Sequence, residues 1–246
     1  MGISDLLTRP QDRAYFAVAV FFQLTSVVAL VLRFLATERA GRRPHVEDWL
    51  AFASLLLYLC FSTANLAGVI RSEGRPASEP AASEAELAVV GKLVYVSVFV
   101  YFYQQFFAKL SILALYYRLF KVNPKFKRGI DALVAYHAIW ITVSTFLISF
   151  ICRPLAKFWD SRVAGQCTPI GPLIAVTETL NSVGDFLLVG LAITIVGMVQ
   201  ISEAAKRKLF ICFGLGALAG VVGFIKIGFS FLGDAVREYS GSAALP

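Results

Sequence analysis

Six long apolar runs take up most of this chain, and they decide what it can fold into. They are Tyr15–Leu35, Trp49–Ile70, Val89–Leu119, Gly129–Ile151, Pro172–Gln200 and Leu209–Gly233. About 20 apolar residues in a helix cover the roughly 30 Å of hydrocarbon in a bilayer, and each run reaches that length. The third and fifth exceed it, which predicts tilt or projection past the headgroups. Helices of a soluble protein would each keep a polar face toward water, whereas these runs are apolar nearly all round. Apolar residues form 58% of the chain and charged residues 16%, against about 45–50% and about 25% in soluble domains. The predicted fold is therefore all-α: a single transmembrane domain over residues 1–246, a polytopic helical bundle of six helices.

The connections alternate in character. Glu38–Asp48, Lys121–Arg128 and Lys206–Lys208 are basic, while Arg71–Leu87 and Cys152–Gly171 carry the mixed polar residues of the other side. Twelve Lys and Arg flank the three basic turns, between Arg33 and Arg43, Arg118 and Arg128, and Lys206 and Lys208, against eight on the opposite side. Basic residues near helix ends favour the cytosol, so both termini are predicted non-cytosolic, in the plasma membrane or an endomembrane. The formal charge of +7 sits in turns that meet lipid, which makes the bilayer the expected partner and excludes nucleic acid. Met1–Arg13 lacks the apolar core of a cleavable signal, so the first run is expected to act as signal and anchor together.

Cys152 and Cys167 fall in one predicted outer loop, in an oxidising compartment. A bridge between them is the expected state and would contribute about 3 kcal/mol in the chain-entropy picture; two free thiols are the alternative. Cys60 and Cys212 fall inside helices and are read as small buried hydrophobes. The only histidines are His45 and His137. No Cys/His spacing fits zinc, and no metal is expected.

Charged groups at membrane depth need a partner or a cavity. Four stand out: Lys109 in the third run, Glu178 and Asp185 in the fifth, and Lys226 in the sixth. Glu178 and Asp185 are seven apart and share one helix face. One reading pairs Glu178 with Lys226 and Asp185 with Lys109 across helices. A second makes the four the lining of a polar cavity for a ligand or proton. A retinal Schiff base on Lys226 would need more than a lone membrane lysine, so no cofactor is expected. Asn65, Gln104, Gln105, His137 and Asn181 could add hydrogen bonds across helices, each about 1 kcal/mol. An aromatic stripe, Tyr95, Phe99, Phe102, Tyr103 and Phe106, is read as packing between helices, or as a seat for a flat apolar ligand. Trp49 and Trp159 are read as interfacial belt residues, and Gly216, Gly220 and Gly223 as a face for close helix approach.

Several segments taken together resemble the fungal rhodopsin-domain integral membrane proteins, of the satratoxin-cluster membrane protein type. They are Glu47-Asp48-Trp49, Lys109-Leu110-Ser111-Ile112 and Tyr117-Arg118-Leu119-Phe120. Phe150-Ile151-Cys152-Arg153-Pro154, Phe158-Trp159, Cys167, Asn181 with Asp185, and Phe213-Gly214-Leu215-Gly216 complete the set. Order and spacing fit over roughly residues 10–233. The family usually has prolines after its fifth-helix Asp, where this sequence reads Leu191-Ala192-Ile193-Thr194, and usually continues into a seventh helix and a cytosolic tail. The resemblance therefore implies a truncated seven-helix rhodopsin-like architecture, in which a membrane protein partner would replace the seventh helix. For this family "rhodopsin" refers to architecture and implies no retinal. It also implies an association with secondary-metabolite genes.

With two histidines there is little material for a Ser-His-Asp triad, so no catalytic constellation is expected. The favoured role is a non-enzymatic accessory or ligand-sensing component that meets a lipophilic small molecule. The alternatives are an intramembrane cyclase or isomerase with Glu178 or Asp185 as its acid, and a small-molecule transporter, for which the usual internal repeat is missing.

Overall fold

The local chemistry of each helix start and stop sets the architecture. A computed structural model of the chain describes residues 10–71, 84–160 and 162–198, with the single positions 218, 221 and 225. Helix α1 spans Pro10–Arg39. It closes on Gly41, at φ 64°, with Arg42 N–H donating to Thr37 O at 3.1 Å and Gly41 N–H to Glu38 O at 2.8 Å. This is a Schellman stop, and its left-handed residue is the one position there that favours glycine. Helix α2, Val46–Arg71, opens with Glu47 and Asp48 in its first turn. Asp48 Oδ2 accepts the His45 N–H at 3.0 Å, a capping-box contact, and both acids sit at the positive end of the helix.

Helix α3 runs Glu84–Phe120, 37 residues, or about 55 Å at 1.5 Å per residue. It outreaches a hydrocarbon core of roughly 30 Å by several turns. Helix α4 runs Pro124–Ser149, five residues earlier than the apolar run at Gly129 indicates. Asn123 caps it, its Oδ1 accepting Lys125 N–H at 3.0 Å, and Pro124 takes the first helical position that suits proline. The connection between α4 and the next helix folds as a two-stranded hairpin, β1 Cys152–Arg153 and β2 Gln166–Cys167, antiparallel with Cys152 opposite Cys167. A 3-10 turn, Leu155–Phe158, lies between the strands, and the Arg153–Pro154 peptide is cis. Helix α5 spans Ile170–Met198.

All five helices are long and apolar enough to cross a membrane, over Arg13–Arg39, Val46–Ala67, Ala88–Phe120, Pro124–Ser149 and Ile170–Ile195. The sixth expected helix, 209–233, lies outside the described residues except for Leu218, Val221 and Ile225, which are helical and exposed. The glycine face in that run and Cys212 also lie outside them. Large apolar side chains stand fully outward on every span, among them Phe22, Leu24, Phe52, Val96, Ile139 and Leu187. Water would penalise each of them, at about 1.5–3 kcal/mol for a whole side chain, whereas acyl chains do not. Cys60 belongs to this outward surface and is exposed; the expectation of a buried thiol is corrected, because mid-span residues of α2 face lipid as readily as protein.

The described helices form two compact units. One contains α1, α2, α3 up to Leu115 and the Ile148–Cys167 segment. Within it α1 meets α2 through Phe34 and Trp49, ring centroids 6.3 Å apart. Helix α2 meets α3 through Phe61 and Tyr101 at 5.5 Å, and through Ser54 Oγ donating to Gln104 O at 3.1 Å. The second unit contains Tyr116–Leu147 and α5. Its buried apolar residues are Phe126, Ile130, Leu133, Trp140 and Ile141 on the α4 side, and Leu173, Leu188, Ala192 and Ile195 on α5.

Candidate functional site

Two polar clusters lie among apolar helices. The first ties α1, α2 and α3 together. Arg33 Nε, on α1, donates to Asp48 Oδ1 on α2 at 2.8 Å, and Arg33 NH1 reaches Ser111 Oγ on α3 at 3.3 Å. Ser111 Oγ in turn donates to the Glu47 carbonyl at 2.7 Å. Asp48, Glu47 and Ser111 are all buried. A carboxylate out of water needs a charged partner and full hydrogen bonding, and Asp48 has both. The same residues bring His45, Glu47 and Asp48 donor atoms within 4.8 Å of one another. Asp48 is already neutralised by Arg33, His45 Nδ1 lies 2.5 Å from the Arg43 carbonyl oxygen, and the start of α2 carries positive dipole. The cluster therefore serves the helix start rather than a cation. Sequence reasoning took Arg33 for a topology-setting interfacial cation and missed this lock. The available signal was its position six residues inside the α1 terminus, within an apolar stretch.

The second cluster lies in the other unit, between α4 and α5. The buried faces of both helices are apolar at their ends and polar at mid-length. On α4 the polar residues His137, Trp140 and Ser144 are buried; on α5 Thr177, Glu178, Asn181 and Ser182 are buried. Tyr136 Oη donates to Leu180 O at 2.6 Å, and Trp140 Nε1 to Thr177 O at 3.0 Å. Both are α5 carbonyls with a second lone pair to offer, so the helices are stitched without disturbing either ladder. Gly184 lets the backbones approach: a Cβ there would lie 2.5 Å from His137 Cε1 and 3.0 Å from Tyr136 Cε1. His137 is fully buried, packed edge-on to Tyr136. The hydroxyls of Ser144 and Ser182 are buried with no hydrogen-bond partner among the described residues.

The expected site residues divide accordingly. Glu178 and Asn181 are buried and Asp185 is half-buried on one face of α5, as their spacing predicts. Lys109 is buried on α3. Each of Lys109, His137, Glu178, Asn181 and Asp185 is engaged by an interaction in the structure. Lys226, the expected partner of Glu178, lies outside the described residues. Two hydrogen bonds foreseen across helices are local instead. Asn65 Nδ2 donates to Phe61 O at 2.7 Å, and Gln105 Nε2 to Tyr101 Oη at 3.3 Å. Each partner lies one turn back in its own helix, which is the nearest acceptor for a side chain pointing toward the helix N-terminus.

The β1–β2 hairpin is closed by the Cys152–Cys167 disulfide and anchored on α3. Phe158 and Trp159 pack on Tyr95 at 5.5 and 6.0 Å, and Lys92 Nζ lies 5.7 Å from the Trp159 ring. The Tyr95 end of the aromatic stripe thus serves packing. At the exposed hairpin tip, Arg162 donates from Nε to Asp160 Oδ1 at 3.0 Å. That bond holds the Asp160 carboxyl below the usual carboxylate range.

These features define a polytopic α-helical membrane protein with a disulfide-closed hairpin between two spans and polar clusters among its helices. The chain belongs to the fungal rhodopsin domain family, whose model matches residues 32–232. Arg33, Asp48, Ser111 and the whole α4–α5 cluster lie inside that match. It is 31% identical over 94% of its length to wortmanamides biosynthesis cluster protein C of Talaromyces wortmannii. It is 40% identical over 52% of its length to satratoxin biosynthesis SC1 cluster protein 4 of Stachybotrys chartarum. A SAT4 family membrane protein of Emericella nidulans is 34% identical over 61% of the chain. The matches span 65%, 48% and 39% of these relatives' own lengths. No solved structure matches the chain.

Proposed function

We propose that the chain is a non-enzymatic membrane component of a secondary-metabolite pathway, acting as an accessory or ligand-sensing protein. The observation that carries this reading is its likeness, along nearly its whole length, to a protein named for a biosynthesis cluster. The α4–α5 cluster is where we place recognition. Glu178, Asn181 and His137 are buried within apolar helices, and the buried Ser144 and Ser182 hydroxyls have no hydrogen-bond partner among the described residues. A lipophilic molecule with one or two polar groups, arriving through the bilayer, matches such a lining. The chain acts as one transmembrane domain in the plasma membrane or an endomembrane, with its termini on the non-cytosolic side.

The burial of Glu178 favours a second reading, an intramembrane enzyme in which that carboxyl donates a proton to a lipophilic intermediate. One experiment separates them. Purified chain is incubated with lipophilic products of the neighbouring biosynthetic genes and followed for both thermal stabilisation and chemical conversion. Saturable stabilisation without conversion, lost in Glu178→Gln, supports sensing. Conversion lost in both Glu178→Gln and Asp185→Asn assigns the enzyme.

A further inference from the structure

The turn from α3 into α4 breaks the rule that α2 obeys. Helix α2 opens on two acids, whereas α4 has no acid in its first turn. Lys125, Lys127 and Arg128 stand there instead, with Lys121 just before them, and all four are exposed. No carboxylate occurs before Asp131, which is also exposed. None of the four cations forms an ion pair among the described residues. A helix start carries about half a positive charge from its own unpaired N–H groups, so these cations add to a field of their own sign. Mutual repulsion of this kind is relieved by an anion supplied from outside the chain.

The turn is built to hold its cations in place. Lys121 N–H donates to Tyr117 O at 3.0 Å, Asn123 N–H to Phe120 O at 3.1 Å, and Lys127 N–H to Asn123 O at 3.0 Å. Phe126 is buried against Phe120, ring centroids 6.3 Å apart. Between Lys121 and the Asn123 cap, Val122 projects with 91% of its surface exposed, the most of any large apolar residue described. An apolar tip beside clustered cations, at the end of a membrane-spanning helix, combines the two attractions that hold a segment at the headgroup boundary. We propose that the α3–α4 turn binds anionic phospholipid of the leaflet it faces. The four cations sit on lipid phosphates and carboxylates, and Val122 seats at the boundary between headgroups and acyl chains. The orientation expected from the Lys and Arg distribution puts this turn in the cytosolic leaflet, where such lipids concentrate.

The test uses the full chain in detergent, offered equal amounts of phosphatidylserine and phosphatidylcholine with identical acyl chains, with retained lipid counted by native mass spectrometry. Wild-type protein should retain phosphatidylserine preferentially. Lys125→Gln should weaken that preference about fivefold, and the K121Q/K125Q/K127Q/R128Q variant more than a hundredfold, on the order expected per charge at an anionic surface. K121R/K125R/K127R should keep the preference, and Val122→Ser should weaken retention of both lipids. Equal retention of the two lipids by wild-type protein overturns the proposal, as does an unchanged preference in Lys125→Gln and the quadruple variant. Displacement of phosphatidylserine by millimolar inorganic phosphate overturns it too, by assigning the turn to a free anion.

Discussion

Replacing Asp48 by Asn tests the lock that joins the first three helices. The substitution keeps the shape and removes the charge, so Arg33 loses the carboxylate at 2.8 Å while still facing Ser111. An exposed ion pair contributes roughly 0.2–1 kcal/mol, and removing one partner of a fully buried pair costs about 3–5 kcal/mol. Here the Asp48 side chain is 5% exposed and that of Arg33 30%, so the value falls between, at about 2 kcal/mol. The stranded guanidinium accounts for most of it. The Arg33→Met/Asp48→Asn double variant should therefore cost less than the sum of the single changes, leaving a coupling of about 1–2 kcal/mol. Equilibrium unfolding in mixed micelles of the wild type, both single variants and the double variant closes the cycle. A cost below about 0.5 kcal/mol for Asp48→Asn, or strict additivity, would show that the contact carries no energy and that packing alone sets its geometry.

Three further outcomes are expected. Gly184→Leu must push His137 and Tyr136 aside, and should destabilise by about 1–3 kcal/mol or more as overpacking, read by the same unfolding assay, with Gly190→Leu, which meets nothing within 4 Å, as the neutral comparison. Cys152→Ser should lower stability by about 2–4 kcal/mol and remove the mass difference between reduced and unreduced peptides spanning Cys152–Cys167. Arg162→Ala should raise the titration of Asp160 toward the ordinary carboxylate range, followed by carbon-13 NMR of labelled Asp. The sign follows from the lowered folded value: the stabilisation from Asp160 is present above the unfolded pKa and is lost as pH falls through the folded one.

Five of the six expected spans are legible because a bilayer imposes one requirement, length of apolar helix, that a single sequence displays directly. The disulfide was legible for a similar reason, two cysteines confined to one short connection. Boundaries were less so. The apolar run places the start of α4 at Gly129 because its first turn is basic, yet the Asn123-Pro124 pair is a helix-start signal that outweighs charge. The polar face of α5 could be read from the spacing of Glu178, Asn181 and Asp185. What faces it could not, since the Tyr136, Trp140 and Gly184 contacts depend on the register of α4 against α5, which no local pattern sets. Arg33 shows the same limit. A cation near a helix end looks like a topology signal until the fold brings Asp48 and Ser111 to it. Asn65 and Gln105 could by sequence bond across helices, but a polar side chain in a helix has an acceptor one turn away, and theirs lie there.

The central claim is that the α4–α5 cluster recognises a lipophilic molecule without transforming it. The most direct measurement is the paired one, thermal stabilisation and product analysis of the purified chain with lipophilic pathway compounds, for wild type and Glu178→Gln. Saturable stabilisation that disappears in Glu178→Gln, with every compound recovered unchanged, is the predicted result. Turnover by the wild type that is abolished in both Glu178→Gln and Asp185→Asn would contradict it.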